Sequence, residues 1–302
     1  MRNTCAGWSS ASVSPENHEL AVYSMPDSRG WGRATAAARG VPFSPVRVHV
    51  FPDRETLVRV SPPAAPHAVL VQQLHDPNSK LFPTLLAADA LRRSGAQRVT
   101  LVAPYLPYMR QDAVFRPGEC LSQKVFGRLL RLGFDRVLTL EAHLHRVPSL
   151  RAVVPGESLS AAPAISQWLG RHAPRACIAG PDGESARWVQ AVARLSGLPD
   201  LVGEKERTGD RRVRVRFSAP LPARHVVLVD DIASSGATLA VAARSLYRLG
   251  AERVDAVVVH AIFARGAEEL LRRAGVRRVV SCDTVPHPTN RIPCAPLVAA
   301  AL

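Results

Sequence analysis

Arg224-His-Val-Val-Leu-Val-Asp-Asp-Ile-Ala-Ser-Ser-Gly-Ala-Thr238 is the stretch whose reading decides the fold. Its four consecutive apolar residues, 226–229, are too few for a helix and branched enough for a strand buried on both faces, as in a parallel sheet. The strand is expected to end on Asp230 and Asp231. A loop of small residues, 233–238, then opens a helical pattern over 239–246 that Gly250 closes. Small residues at a helix start aim several backbone N–H groups and the positive end of the helix dipole at one point, which suits a phosphate. Two adjacent carboxylates would repel a phosphate but can hold the hydroxyls of a sugar. The stretch therefore predicts a sugar-phosphate site.

The rest of the chain bounds this reading. Its 302 residues suffice for two domains of ordinary size. An apolar content of 47% excludes a disordered protein, and no apolar run approaches the length of a membrane span. The formal charge of +14 comes from 39 basic against 25 acidic residues, and only Lys80, Lys124 and Lys205 are lysines. The arginines are scattered, and 4 Trp, 4 Tyr and 8 Phe leave few rings for stacking bases. That pattern favours phosphorylated small molecules over nucleic acid, and no membrane partner is expected. The five cysteines, Cys5, Cys120, Cys177, Cys282 and Cys294, are odd in number and lack a Cys-x-x-Cys pair, which argues against a disulfide framework or zinc site and for a reducing cytoplasm. Residues 1–18 read as a poorly ordered tail or an over-long gene start, because they lack the apolar core of a signal peptide.

Working outward from the opening stretch, strands alternate with helices. Strands are expected at 20–23, 46–51, 56–60, 68–73, 99–102 and 136–140, with helices at 33–39, 81–93 and 124–131. Residues 46–51 and 56–60 are spaced to pair as a hairpin. The polar segment 109–124, broken by Pro117-Gly118, reads as an exposed loop. After Pro155-Gly156 come strands at 176–179, 211–217, 226–229, 254–259 and 277–281, with helices at 163–169, 185–195, 239–246 and 266–274. Leu249-Gly-Ala-Glu-Arg-Val254 echoes Ser94-Gly-Ala-Gln-Arg-Val99, each ahead of a strand. The chain is therefore expected to be an α/β protein of two similar halves, 19–155 and 156–302. Each half would be a mostly parallel sheet flanked by helices, with ligands at the carboxyl ends of the strands.

Polar clusters follow almost every strand. They are Asp53 and Glu55, Arg110 to Asp112, His143 and His145, Asp182, Lys205 and Arg207, and Asp230 with Asp231. Cations beside acids and an imidazole able to hold a divalent ion are what nucleotide phosphoryl chemistry requires. The opening stretch resembles the phosphoribosyl-diphosphate (PRPP) binding motif of type I phosphoribosyltransferases and of ribose-phosphate pyrophosphokinases. Pro104-Tyr-Leu-Pro-Tyr-Met-Arg-Gln-Asp112 resembles the ATP loop of the pyrophosphokinases, Pro-Tyr-x-x-Tyr-Ala-Arg-Gln-Asp, and Phe51-Pro-Asp-Arg-Glu55 their adenine-receiving turn, Phe-x-Asp-Gly-Glu. Glu141-Ala-His143 and Pro181-Asp182 are similar to the metal and ATP positions, and Lys205-Glu-Arg207 to the start of the catalytic flexible loop. The resemblance spans about residues 19–290 and is nearer the archaeal-type branch.

The resemblance implies two phosphoribosyltransferase-type (type I) domains that transfer the pyrophosphoryl group of ATP to ribose 5-phosphate, with Mg²⁺, giving PRPP and AMP. It implies that Lys205 and Arg207 neutralise developing charge, while Arg110, Gln111, Asp112 and His143 hold ATP. Phe51, Asp53 and Glu55 would receive adenine across a subunit boundary, which implies a homodimer or higher homo-oligomer. His143 and Asp182 would position the metal. Asp230 and Asp231 would bind the ribose hydroxyls, and Ser234, Ser235, Gly236, Ala237 and Thr238 the 5-phosphate. Three positions depart from the family pattern. Ala113 stands where a basic residue is common, Arg54 replaces the turn glycine, and Ala237 replaces the second loop glycine, where its Cβ is expected to crowd a phosphate or a positive-φ backbone. A PRPP-consuming phosphoribosyltransferase and a non-catalytic regulatory subunit of the pyrophosphokinase family remain the alternatives.

Overall fold

The computed structural model describes residues 19–144, 146–208 and 212–302, with the backbone alone at 206–208 and 212–213. The expected tail, His145 and the Arg207 side chain lie outside the described residues. In the first half β1 (Leu20–Ser24) leads into α1 (Arg29–Arg39), and β2 (Phe43–Pro45) precedes a hairpin of β3 (Arg47–Val50) and β4 (Thr56–Arg59). Then follow β5 (His67–Val71), α2 (Pro77–Arg93), β6 (Arg98–Val102), α3 (Ser122–Gly133), β7 (Arg136–Leu140) and β8 (Gly156–Leu159). The second half begins with α4 (Ala162–His172), β9 (Cys177–Gly180), α5 (Ala186–Ser196) and β10 (Asp200–Val202). A second hairpin, β11 (Glu204–Thr208) and β12 (Arg212–Arg216), precedes β13 (His225–Ala233), α6 (Ala237–Arg248) and β14 (Arg253–Ala261). The chain continues through α7 (Ala267–Arg273), β15 (Val276–Cys282), β16 (Asn290–Ile292) and α8 (Ala295–Ala301).

Two six-stranded sheets result, ordered β2-β1-β5-β6-β7-β8 and β10-β9-β13-β14-β15-β16. All pairings within each are parallel. The two orders superimpose strand for strand, and the echoed Gly-Ala-x-Arg-Val segments lead into the equivalent strands β6 and β14. Each sheet is buried on both faces, which is why its central strands read as unbroken apolar runs. In β5, Ala68 and Leu70 face a core of the first half, while Val69 and Val71 face a core shared with Val227 and Val229 of β13. The other face of β13, Val226 and Leu228, packs with α6 and α7.

Hydrogen bonds cross the seam between the halves in a pseudo-symmetric way. The indole of Trp31, third residue of α1, donates to the Asp283 carbonyl at 2.9 Å, and that of Trp188, third residue of α5, donates to Glu141 Oε1 at 2.8 Å. Gln73 Nε2 donates to Asp283 O at 2.9 Å, and the buried ring of His260 meets the Leu140 carbonyl at 3.1 Å.

Several expectations are corrected. β13 runs on through Asp230 and Asp231 to Ala233, because β14 is equally long and pairs with it as far as Ala233↔Ala261. Residues 204–208 form a strand, since a facing partner supplies the ladder that their charged sequence does not advertise. α2 starts at Pro77, where the missing N–H costs nothing. Residue 155 falls one place ahead of β8, which belongs to the first sheet: the bare Cα of Gly156 lets it lie against Val137, whose carbonyl a Cβ would meet at 2.2 Å. No helix among the described residues is long and apolar enough to cross a membrane.

Candidate active site

The carboxyl ends of β7, β9 and β13, with the hairpin that carries Lys205, enclose a pocket of about 400 Å³. Its wall brings together Arg110, His143, Asp182, Lys205, Asp230 and Asp231 with the loop Ser234, Ser235, Gly236, Ala237 and Thr238. Parallel topology delivers these groups to one edge.

The loop is built from its glycine outward. Gly236 has φ +71° and caps the start of α6; a Cβ there would lie 3.3 Å from the Ala267 carbonyl. Ala237 is the first residue of α6, so the positive-φ position is Gly236 and the crowding expected of Ala237 against such a backbone does not arise. Gly236 has no side chain to cap the helix, the Ala237 amide donates to Ser235 Oγ at 3.4 Å, and the start of α6 lines the pocket, an arrangement that suits an anion. The loop is braced by the Ala264 amide, which donates to the Ser234 carbonyl at 3.0 Å.

Acids and cations pair across elements. His143 Nδ1 lies 2.7 Å from Asp231 Oδ2, and Lys205 Nζ lies 3.2 Å from Asp182 Oδ2. Burial, and then the charges of Asp231 and Asp182, push the Asp230 carboxyl well above the ordinary range. Burial acts the same way on Asp231, but the hydrogen bond and charge of His143 outweigh it and leave that carboxyl below its ordinary value. The strand end thus holds one carboxyl that favours its proton beside one that favours its charge.

Glu141 also lines the pocket, a position to which the sequence reading gives no role apart from the Glu141-Ala-His143 motif. It has φ +35°, and its Oε1 accepts from Ser160 Oγ, the Ala161 amide and Trp188 Nε1, each at 2.8 Å. Burial holds its carboxyl above the ordinary range despite those donors. A strained acid at the pocket wall, its Oε1 taking three hydrogen bonds, orients the 141–144 segment that carries His143. Beneath it burial pushes His260 down to about 4, so a neutral ring joins Thr284 to Leu140. Neither Trp188 nor His260 carries a sequence signal, because each bonds across to a distant segment, Trp188 to Glu141 and His260 to the Leu140 carbonyl.

Other expected residues lie apart from the pocket. Gln111 Oε1 accepts from Ser122 at 2.5 Å, and Asp112 pairs with Arg146 at 2.6 Å, so both brace the segment that presents Arg110. Phe51, Asp53 and Glu55 sit at the exposed tip of the β3–β4 hairpin, where Asp53 Oδ1 accepts the Glu55 amide at 3.0 Å. Arg54, in place of the turn glycine, takes φ +73° there.

A phosphate-accepting loop after an Asp-Asp strand end, in a duplicated parallel-sheet fold, defines a protein of the phosphoribosyltransferase class. Residues 20–132 match the N-terminal domain of ribose phosphate pyrophosphokinase, and residues 161–296 match the phosphoribosyl transferase domain. A ribose-phosphate pyrophosphokinase of Methanopyrus kandleri is 32% identical over 276 residues, covering 90% of this chain and 94% of that protein. Ribose-phosphate pyrophosphokinase 2 of Archaeoglobus fulgidus is 32% identical over 281 residues, covering 93% and 99%. The crystal structure of phosphoribosylpyrophosphate synthetase from Mycobacterium smegmatis shares the fold, with a TM-score of 0.77, 24% identity and coverage of 93% and 97%. The chain belongs to the ribose-phosphate pyrophosphokinase family, and the archaeal relatives agree with the branch expected from the motifs.

Proposed function

We propose that this chain transfers the pyrophosphoryl group of ATP to the 1-hydroxyl of ribose 5-phosphate. The ribose oxygen bonds to the β-phosphorus, the bond from that phosphorus to the α,β-bridging oxygen breaks, and AMP leaves; the hydroxyl proton passes to solvent. The observation that carries this reading is the single cavity in which Lys205, His143, Asp182 and the Asp230–Asp231 loop converge.

The 5-phosphate sits on the N–H groups of the loop and the start of α6, with the Ser235 and Thr238 hydroxyls beside them. Asp231 and Asp230 hold the ribose hydroxyls through their carboxyl oxygens. Lys205 leaves Asp182 to meet the charge that grows on the β-phosphoryl oxygens, and Arg207 joins it. Arg110 grips the ATP phosphates. Gln111 and Asp112 keep the ATP loop in shape, and the Phe51, Asp53 and Glu55 turn of a second copy receives adenine, so the working unit is a homodimer or larger. The arrangement supplies charge and position rather than a covalent intermediate.

Mg²⁺ fits this site as a companion of the nucleotide. Among the described residues no three His, Cys, Asp or Glu side chains converge as a metal cage, and Mg²⁺ in nucleotide sites takes one or two protein ligands and fills the rest with phosphates and water. Asp182 and His143 would hold it, directly or through water. When bound it withdraws charge from the phosphoryl oxygens. The free cysteines among the described residues, three of them buried, support a reducing, cytoplasmic setting.

Incubating the protein with ATP, Mg²⁺ and ribose 5-phosphate should yield AMP and PRPP in equal amounts. Absence of AMP would leave a non-catalytic relative. Consumption of supplied PRPP together with a nucleobase would identify a phosphoribosyltransferase instead.

A further inference from the structure

Four arginines converge on the far side of the hairpin that carries Lys205. Arg214 and Arg216 of β12 and Arg244 and Arg248 of α6 line a concavity of about 490 Å³, completed by Val215, Val241 and Ser245. Among the described residues no carboxylate lines it. Some exposed arginines elsewhere are matched with acids: Arg92 with Asp135, Arg253 with Asp255, and Arg272 and Arg273 with Glu269. Arg214, Arg244 and Arg248 form no ion pair with any described carboxylate. Like charges one helical turn apart oppose each other, as Arg244 and Arg248 do, and Arg214 on the facing strand adds to the cost. A bound polyanion relieves that repulsion.

We propose that this concavity is a binding site for a short oligophosphate, recognised through its phosphates. Guanidinium forks suit phosphate oxygens geometrically. The volume suits a small ligand. Among the described residues no aromatic ring lines the concavity to stack a base. Nucleoside diphosphates and inorganic polyphosphates share the required chemistry.

The site is wired to the hairpin. Ser245 Oγ donates to the Val215 carbonyl at 2.7 Å, and Val215 is the register partner of Lys205. An anion clamped between β12 and α6 therefore steadies the same two strands that present the lysine. The site lies outside the pocket assigned to ATP and ribose 5-phosphate and stands whether or not that assignment does.

The test is calorimetric titration with inorganic tripolyphosphate, without Mg²⁺, of the wild type and of an R244Q/R248Q double variant, with ADP as a second arm. The wild type should show a component weakened by added salt. The variant should bind that component at least about tenfold more weakly. Its fold, by circular dichroism, and its KM values for ATP and ribose 5-phosphate should be unchanged. Amide exchange over 212–216 should slow on tripolyphosphate addition in the wild type and not in the variant. ADP binding to this component as tightly as tripolyphosphate would assign it to nucleotides, and far weaker ADP binding to inorganic polyphosphate. Retention of the component in the variant would overturn the proposal, as would a duplex DNA fragment displacing tripolyphosphate at lower concentration than the probe itself.

Discussion

Lys205 illustrates how one side chain can wait for a charge that does not yet exist. Its ammonium, half-buried and 3.2 Å from Asp182, is paired in the free protein, and in the proposed mechanism it meets the negative charge that gathers on the transferring phosphoryl group. Replacing it with alanine should lower turnover by roughly 10²–10³-fold while the dissociation constant for ATP changes little. Equal losses in turnover and in ATP affinity would make Lys205 a ground-state binding residue instead. Asp283 gives a prediction of another kind. Burial pushes its carboxyl up to about 6, even though Oδ1 accepts the Cys294 amide at 2.9 Å. Between about pH 4 and 6 the folded chain therefore holds a proton that the unfolded chain has lost, and stability falls as pH rises through that window. The cost at neutral pH is about 2–3 kcal/mol. D283N should flatten that slope in urea-unfolding midpoints measured from pH 4 to 7; an unchanged slope would place the titration elsewhere.

The loop before α6 and the tip of the β3–β4 hairpin make opposite demands on glycine. Gly236 occupies a left-handed backbone with a carbonyl 3.3 Å from where a Cβ would stand. Gly236→Ala should cost about 1–2 kcal/mol and weaken ribose 5-phosphate more than ATP, read by calorimetry with each ligand. Arg54 adopts φ +73° without being glycine. Arg54→Gly should raise stability by about 1 kcal/mol in denaturant unfolding, the relief of side-chain strain exceeding the extra freedom of the unfolded chain. A destabilised variant would mean that the arginine earns its place through contacts. These two positions also mark what was legible in the sequence. β6, β7, β13 and β14 could be read because they are buried on both faces, which leaves unbroken branched apolar runs. The short strands β2, β8, β10 and β16 could not, because three or four residues take their conformation from the strand beside them. The acid pair and the phosphate loop were legible as chemistry, but the extent of β13 was not: Asp230 and Asp231 break the apolar run without ending the ladder. Gln111 and Asp112, grouped with Arg110 by their motif, turn out to bond to Ser122 and Arg146.

Duplication explains why a single cleft can serve two phosphorylated ligands. Each half is a parallel sheet with its polar residues at one edge, and the halves share a core between their inner faces. Trp31 and Trp188 reach across the seam in equivalent ways, tying each half to the loop after the fifth strand of the other half's sheet, at 283 and 141. The seam therefore fixes Glu141 and its neighbour His143 relative to Asp231 of the second half. In the proposed reaction the acceptor sugar and the donor phosphate chain meet in this cleft, so that which phosphorus is attacked depends on how the halves are held. The most direct test follows the phosphorus atoms. With ATP labelled separately at the α-, β- or γ-phosphorus and ribose 5-phosphate in excess, the β and γ labels should both appear in the diphosphate of the sugar product, and the α label in AMP. Transfer of the γ label alone, with ADP as the other product, would contradict the account.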